Sequence, residues 1–196
     1  QIKLDRIPRR YYNPDSEIEL TALRREEKID TRIFETASDG ADFLASEIVR
    51  YIKRYIAKNG KCVLALGAGT STHRVYASLI NLYKQGAVDF KNVIVFNISE
   101  FFPLNPGGPS TMTRLNDVFL SHVDIQPENV RPINPAITKE TMFEYCQAYE
   151  QAIADEGGID VTLCEIAPNG SIAFNEPGSQ ASSFCRLVLL GNETRH

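Results

Sequence analysis

Residues 62–72 read CVLALGAGTST, an apolar run that passes directly into a loop of small residues. The run at 62–66 lacks polar alternation, which is typical of a strand buried on both faces of a parallel sheet. A segment with helical spacing of apolar residues follows, up to Gly86, so 67–72 connects a strand to a helix. The stretch predicts a β-loop-α unit, the building block of an α/β domain.

The same alternation recurs along the chain. Further strands are predicted at 93–96, 159–164 and 186–190. Further helices are predicted at 38–59, with Ser38 as N-cap and Gly60 as the stop, after the loop 103–109 as far as about His122, and at 138–156. Strands that alternate with helices predict a mainly parallel sheet with right-handed crossovers.

Composition excludes several classes of protein. The 196 residues are 43% hydrophobic and 23% charged, with a net charge of -4, which indicates a soluble globular domain and argues against a nucleic-acid partner. No apolar run approaches the roughly 20 residues of a membrane span, and no signal peptide is evident, so we expect a cytoplasmic protein with no membrane partner. Residues 1–37 are polar and are predicted to form an N-terminal arm on an α/β domain at 38–196.

Metal binding is not predicted. The four cysteines are widely spaced and form no C-x-x-C pair, and the three histidines show no metal-ligand spacing with them. We therefore expect reduced, structural cysteines and no metal site.

Ligands of open parallel sheets bind beyond the carboxyl ends of the strands. The first segment expected there is the loop 67–72, where Gly67, Gly69, Thr70 and Ser71 form either an anion site or a tight structural turn. The loop lacks the lysine of a nucleotide P-loop and does not fit the G-x-G-x-x-G spacing, which disfavours nucleotides. A phosphate on a small molecule is the best functional reading.

Two other segments fall at the same edge. Ser99 and Glu100 follow the strand at 93–96, where a carboxylate is either a general base or an ordinary solvated strand end. Asn169, Ser171 and Glu176 belong to a turn bounded by glycine and proline, which is either a functional turn or a hydrogen-bonded structural one. Ser171 has no histidine nearby in the sequence, so a nucleophilic role for it would need a partner from elsewhere in the fold.

The segments together resemble glucosamine-6-phosphate deaminase, also called an isomerase, in the superfamily that includes 6-phosphogluconolactonase. The resemblance covers roughly residues 40 to 196 and rests on LALGAGTSTHRVYASLI (64–80), VIVFNISEFFPL (93–104), HVDI (122–125), NGSIAFNEPGS (169–179) and NETR (192–195). It implies a Rossmann-like three-layer domain. The last strands and helices of that fold would follow residue 196, so the domain is expected to be incomplete at its C-terminal end.

The resemblance also implies a reaction. The family opens the ring of an amino-sugar phosphate, moves a proton between C2 and C1, and releases ammonia to leave fructose 6-phosphate, without a metal or organic cofactor. Its phosphate loop matches residues 67–72, its phosphate-binding arginine matches Arg195, and a position where serine is usual matches Ser110.

The chain departs from the family at the catalytic positions. Ser99 stands where the resemblance expects an aspartate base, Asn169 where it expects a second aspartate, and Ser171 where it expects the ring-opening histidine. Of that group only Glu176 is retained. A serine hydroxyl is not a base at neutral pH, whereas an aspartate with a pKa of about 3.9 is ionised.

Three functions stay open on this basis. The first is a protein that binds a sugar phosphate and has lost or strongly altered the deaminase activity. The second is an active isomerase or hydrolase on a related sugar phosphate, with Glu176 and Glu100 as acid and base. The third is a hydrolase like 6-phosphogluconolactonase. An exposed sheet edge would be covered by a homo-oligomer partner or by an additional C-terminal segment.

Overall fold

The computed structural model describes residues 8–11, 13–104, 108, 110–134 and 136–191. Within these residues the α-helices are Glu17–Arg24 (α1), Ala37–Asn59 (α2), His73–Lys84 (α3), Thr111–Val118 (α4) and Met142–Asp155 (α5). The strands are Cys62–Leu66 (β1), Val93–Asn97 (β2), Val130–Arg131 (β3) and Val161–Leu163 (β4).

The strands form one parallel sheet in the order β3-β2-β1-β4. All five residues of β1 and all five of β2 are buried, because both strands lie inside the sheet with helices on both faces. Burial on both faces explains why each of these strands is a continuous apolar run in the sequence. The prediction of an α/β domain with a mainly parallel sheet is confirmed.

Two hydrophobic cores lie on opposite faces of the sheet, which gives three layers. Leu64 and Val95 point into the larger core, which they share with α2, α3 and α4. Their neighbours Val63 and Ile94 point into the smaller core, which α5 covers with Tyr149. Successive residues of a strand face opposite sides, so one apolar run supplies both cores.

The long helix α2 begins earlier than predicted. Thr36 is its N-cap and its Oγ1 accepts a hydrogen bond from Asp39 N at 3.1 Å, so the prediction of Ser38 as the cap is wrong. Gly60 ends the helix as predicted, with a φ of 77° and its N–H donating to Ile56 O at 2.8 Å.

The prediction of a strand at 186–190 is also wrong. These residues form no part of the sheet, and the residue before them, Cys185, donates its N–H to Glu150 Oε1 of α5 at 2.5 Å. Leu187 and Leu189 are exposed, so the apolar run is not buried as a strand's would be. The short strand β3, half-buried and two residues long, was not predicted.

The segment before α2 contains a 3-10 turn at Arg9–Tyr11 and the helix α1. It contacts the domain where the Phe34 ring lies 5.2 Å from the Phe43 ring, measured between centroids, and where Arg32 lies over Phe43. The division of the chain at residue 37 stays a prediction. No helix in the described ranges is long and apolar enough to cross a membrane.

Candidate functional site

The three segments singled out by sequence lie at one edge of the sheet. Because β4, β1 and β2 are parallel neighbours, the loops that follow them leave on the same side. Gly67 N donates to Leu163 O at 3.1 Å and Ile98 N donates to Leu66 O at 3.3 Å, so sheet hydrogen bonding continues into the loops. This is the edge at which ligands of such sheets bind.

Gly67 begins the loop after β1 and is held from two sides. A side chain here would place its Cβ 2.9 Å from Ile98 Cδ1, so any larger residue requires a shift. Tyr76 Oη donates a hydrogen bond to the Gly67 carbonyl, and burial raises the pKa of Tyr76. Tyr76 therefore stays protonated at neutral pH and fixes the loop instead of acting as a base.

The rest of the loop is a 3-10 turn, Thr70–Thr72, that runs directly into α3. Thr72 is buried and its Oγ1 donates to the Gly69 carbonyl at 2.8 Å, whereas Thr70 and Ser71 are exposed. Neither the 3-10 turn nor α3 has an acidic residue in its first turn, and neither has an N-cap side chain that accepts a hydrogen bond from its first amides. The amides at this end therefore need an acceptor from elsewhere in the fold.

Glu165, two residues after β4, supplies this acceptor. Its Oε1 accepts a hydrogen bond from Thr72 N at 3.1 Å, and a Cβ built on Gly69 would lie 2.1 Å from each carboxylate oxygen. The carboxylate thus packs directly on the glycine of the loop. Glu165 was not predicted from the sequence, although its position just after a strand, like that of Glu100, is the signal that could have identified it.

The segment after β2 is tied to the start of α4 through buried polar groups. Asn97 Nδ2 donates to Thr111 Oγ1 at 3.0 Å, and Thr111 Oγ1 donates to the Ser99 carbonyl at 2.5 Å. Asn97 Oδ1 is buried and has no hydrogen-bond partner among the residues that the structure describes. Ser99 therefore supports this network through its backbone.

Glu100 and Ser110 both cap α4. Glu100 Oε1 accepts from Phe101 N at 2.9 Å and from Thr111 N at 3.0 Å, and its Oε2 lies 3.1 Å from Thr111 N. Ser110 is the N-cap, and its Oγ accepts from Thr113 N at 2.9 Å. A carboxylate at a helix N-terminus is stabilised by the helix dipole, which is sufficient reason for an acidic residue at 100.

Asn169, Ser171 and Glu176 form one hydrogen-bonded network. Asn169 Oδ1 accepts from Ser171 N at 3.0 Å and from Ser171 Oγ at 2.8 Å. Its Nδ2 donates to Glu176 Oε2 at 2.8 Å, while Glu176 Oε1 accepts from Gly191 N at 3.2 Å. Ser171 is buried. Two neutral side chains and one carboxylate thus stand together where the resemblance expects an aspartate, a histidine and a glutamate.

The turn between Ser171 and Glu176 has an unusual backbone. Ala173 and Phe174 have φ values of 50° and 63°, in the left-handed region that residues other than glycine rarely adopt. Ile172 and Asn175 hold the turn by exchanging backbone hydrogen bonds of 3.1 and 2.8 Å. Such strain persists only where the surrounding structure fixes it, and it is common at ligand sites.

The turn also meets the loop after β2. The rings of Phe101 and Phe174 lie 4.9 Å apart between centroids. This contact joins the segment of Ser99 and Glu100 to the segment of Asn169 and Glu176.

The structure does not gather all the predicted residues around one cavity. A cavity of about 790 Å³ lies between α5, the end of β2 and the segment 183–190, and Ser99 and Glu100 line it. Neither the loop 67–72 nor Asn169 is among its lining residues. Arg195, the expected phosphate ligand, lies outside the described residues.

The cysteines are free thiols, and the described residues contain no cluster that could hold a metal ion. Cys62 and Cys146 are free and buried, and Cys164 and Cys185 are free and half-buried. Burial, and to a lesser extent Glu165, raises the pKa of Cys164, the cysteine next to the site, which keeps its thiol protonated. In the part of the chain that the structure describes, no three His, Cys, Asp or Glu side chains are grouped so as to hold a metal ion.

Comparison with known proteins identifies the family. A family model described as glucosamine-6-phosphate isomerases/6-phosphogluconolactonase matches residues 35–181. The chain belongs to this family. The match covers β1, β2 and β4 and all three loops at the sheet edge, so family membership includes the candidate site.

Curated relatives of the family are longer than this chain. A protein of Bacteroides thetaiotaomicron, described as glucosamine-6-phosphate deaminase-like, is 44% identical over 197 residues, which is 100% of this chain and 30% of that protein. A glucosamine-6-phosphate deaminase of Parabacteroides distasonis is 42% identical over 133 residues, which is 67% of this chain and 48% of the enzyme. The chain therefore spans half or less of the length of these two relatives.

Solved structures agree on the fold. A monomeric glucosamine-6-phosphate deaminase superposes with a TM-score of 0.74 at 29% identity, over 82% of this chain and 64% of that one. A 6-phosphogluconolactonase from Thermotoga maritima superposes with a TM-score of 0.56 at 19% identity, over 67% of this chain and 58% of that one. The second likeness concerns the fold alone.

Proposed function

We propose that this chain binds a sugar phosphate of amino-sugar metabolism and has lost the standard deaminase chemistry of its family. The observation that carries the proposal is the network of Asn169, Ser171 and Glu176, whose two substituted members are neutral hydrogen-bonding groups. The family fold and the loops at the sheet edge support the binding role.

The loss of chemistry follows from the groups that proton transfer needs. Isomerisation of an aldose phosphate requires a base at C2, and ring opening requires a group that exchanges a proton near neutral pH. Neither Ser99 nor Ser171 titrates in that range, and Asn169 cannot carry the charge that stabilises an imidazolium. Each positioned acid or base contributes about 10² to 10⁴ in rate, so the loss of two removes most of the activity.

The retained carboxylates are engaged in structural roles. Glu100 accepts hydrogen bonds from the backbone amide of its neighbour Phe101 and from that of Thr111 at the start of α4, and Glu176 accepts from Asn169 and Gly191. Each carboxylate would have to give up these hydrogen bonds before it could act on a substrate. Both residues are therefore poorly prepared to replace the missing aspartate.

The first experiment measures ammonia release from glucosamine 6-phosphate beside calorimetric binding of the same sugar. We expect binding without ammonia release by the wild-type chain. Replacing all three substituted positions by the family residues, Ser99→Asp with Asn169→Asp and Ser171→His, is expected to raise the rate of ammonia release at least 10²-fold.

A control variant changes the same residue types at exposed positions outside the site, namely Ser38→Asp with Asn92→Asp and Ser182→His. It should release no more ammonia than the wild-type chain does. Wild-type turnover at an ordinary enzymatic rate, about 1 s⁻¹ or faster, would contradict the proposal and point to Glu100 and Glu176 as the working acid and base.

A further inference from the structure

The loop that the family resemblance assigns to phosphate already holds a carboxylate. A Cβ built on Gly69 would lie only 2.1 Å from each carboxylate oxygen of Glu165, which is too close for the two to coexist. Oε1 of Glu165 also accepts a hydrogen bond from Thr72 N at 3.1 Å. The chain thus provides its own anion at the N-terminal end of the 3-10 turn and α3.

The position suits an anion for physical reasons. The first amides of a helix have no partner inside the helix, and the dipole gives that end a positive partial charge. In α3 and the turn before it, no acidic residue occupies the first turn and no local side chain caps the amides. The Glu165 carboxylate, 93 residues away from Thr72 in sequence, meets this need.

We propose that Glu165 is an internal competitor for the anion-binding loop, so that a phosphate group binds at 67–72 only after the Glu165 carboxylate has left. The proposal rests on the proposed function, since it concerns how a sugar phosphate reaches the loop. Glu165 then controls the affinity of the loop for a phosphate group, independently of the residues at the catalytic positions.

Space and charge both support competition. The carboxylate packs on Gly69, so a phosphate oxygen cannot approach the same face of the loop while Glu165 is there. Within the described ranges Glu165 has no ion pair with a lysine or arginine, so its charge is not neutralised by a neighbouring cation. A phosphate dianion beside this carboxylate is repelled.

The same features allow release. Glu165 is half-buried, so part of its side chain is already in contact with solvent. An internal ligand acts at a high effective concentration, and the apparent affinity for an external ligand is multiplied by the fraction of molecules in which the loop is free.

The test compares Glu165→Ala, Glu165→Gln and the wild-type chain by calorimetric titration with inorganic phosphate and with glucosamine 6-phosphate. Glu165→Ala removes both bulk and charge and is expected to bind each ligand at least tenfold more tightly. Glu165→Gln keeps the shape and removes only the charge, so it should show a smaller gain in the same direction. Glu144→Gln, an exposed site on α5, is the charge-matched control and should bind as the wild type does.

An NMR measurement reports on the loop itself. The amide signal of Thr72 should shift in Glu165→Ala without ligand, because its acceptor is gone, and should move again on addition of inorganic phosphate. Glu165→Gln serves as the test if Glu165→Ala does not fold.

The outcomes separate this inference from the proposed function. If the variants and the wild type bind the sugar phosphate equally well, the competitor role of Glu165 is overturned while the binding function stands. If neither the wild type nor either Glu165 variant binds it, both proposals are overturned. Tighter binding by the Glu165 variants alone supports the inference.

Discussion

Replacing Gly69 by alanine should destabilise the protein only because Glu165 is present. Gly69 has a φ of -76° and a ψ of 163°, a conformation that alanine adopts freely. The obstacle is the pair of Glu165 carboxylate oxygens, each 2.1 Å from the new Cβ. These atoms end a flexible side chain, so the expected response is that the Glu165 carboxylate leaves the loop.

The size of the effect follows from what the displaced carboxylate loses. A hydrogen bond between a charged group and an amide is worth about 1.5–3 kcal/mol, and the helix dipole adds about 0.3–1 kcal/mol. Because Glu165 is half-buried, we take a loss of about 2 kcal/mol. The lower entropy of the unfolded chain offsets this by about 0.4–1 kcal/mol, so Gly69→Ala should lower the free energy of unfolding by about 1–1.5 kcal/mol.

A double-mutant cycle measures the coupling directly. In a Glu165→Ala background the obstacle is absent, and Gly69→Ala should raise the free energy of unfolding by about 0.4–1 kcal/mol. The coupling free energy between the two positions is therefore expected to be about 2 kcal/mol. Urea unfolding followed by circular dichroism of the four proteins gives this value.

Equal changes in the free energy of unfolding for Gly69→Ala in both backgrounds would refute the coupling between Gly69 and Glu165. A coupling below about 0.5 kcal/mol lies within the additivity of independent sites. Such a result would mean that Glu165 does not rest on Gly69 in solution, and it would also remove the physical basis of the competitor role.

Two further predictions concern stability. Thr111→Val keeps the shape of the side chain but leaves the buried Asn97 amide without its acceptor. The free energy of unfolding, measured by urea titration, should therefore fall by about 1–3 kcal/mol. An unchanged unfolding midpoint would contradict the hydrogen bond between Asn97 and Thr111. Lys61, 2.6 Å from Glu156, is the main reason why the pKa of Glu156 lies below its ordinary value of 4.5, and Arg131 contributes less. A carboxyl group with a lowered pKa adds stability that is present above pH 4.5 and is lost as the pH falls through the folded-state pKa. Glu156→Gln should therefore reduce the loss of unfolding free energy on the acid side by up to about 1 kcal/mol. Parallel curves of unfolding free energy against pH for variant and wild type would refute this.

The sequence predicted those parts of the fold that depend on local pattern. The strands β1 and β2 were found because both are buried on two faces and read as unbroken apolar runs. The run at 186–190 looks the same in sequence, yet it forms no strand, because only the register of the whole sheet decides which apolar run becomes one. The two-residue strand β3 is too short to show any period.

The candidate site was predictable in its location but not in its contacts. The strand ends placed the three loops correctly at one edge, since that follows from parallel topology alone. That Glu165 would bind Thr72 N depends on how β4 lies beside β1, which no local pattern records. The same holds for Glu100, whose carboxylate accepts a hydrogen bond from the amide of Thr111 at the start of α4.

The long-range contact between Glu165 and Thr72 also bears on the order in which the protein folds. The first turn of α3 has no local cap and is completed by a residue 93 positions later. Non-local contacts of this kind form only after the chain between them has been closed into a loop, which is entropically costly. The hydrogen bond that completes the start of α3 can therefore form only when β4 has docked on β1, so the N-terminal end of this helix depends on the formation of the sheet.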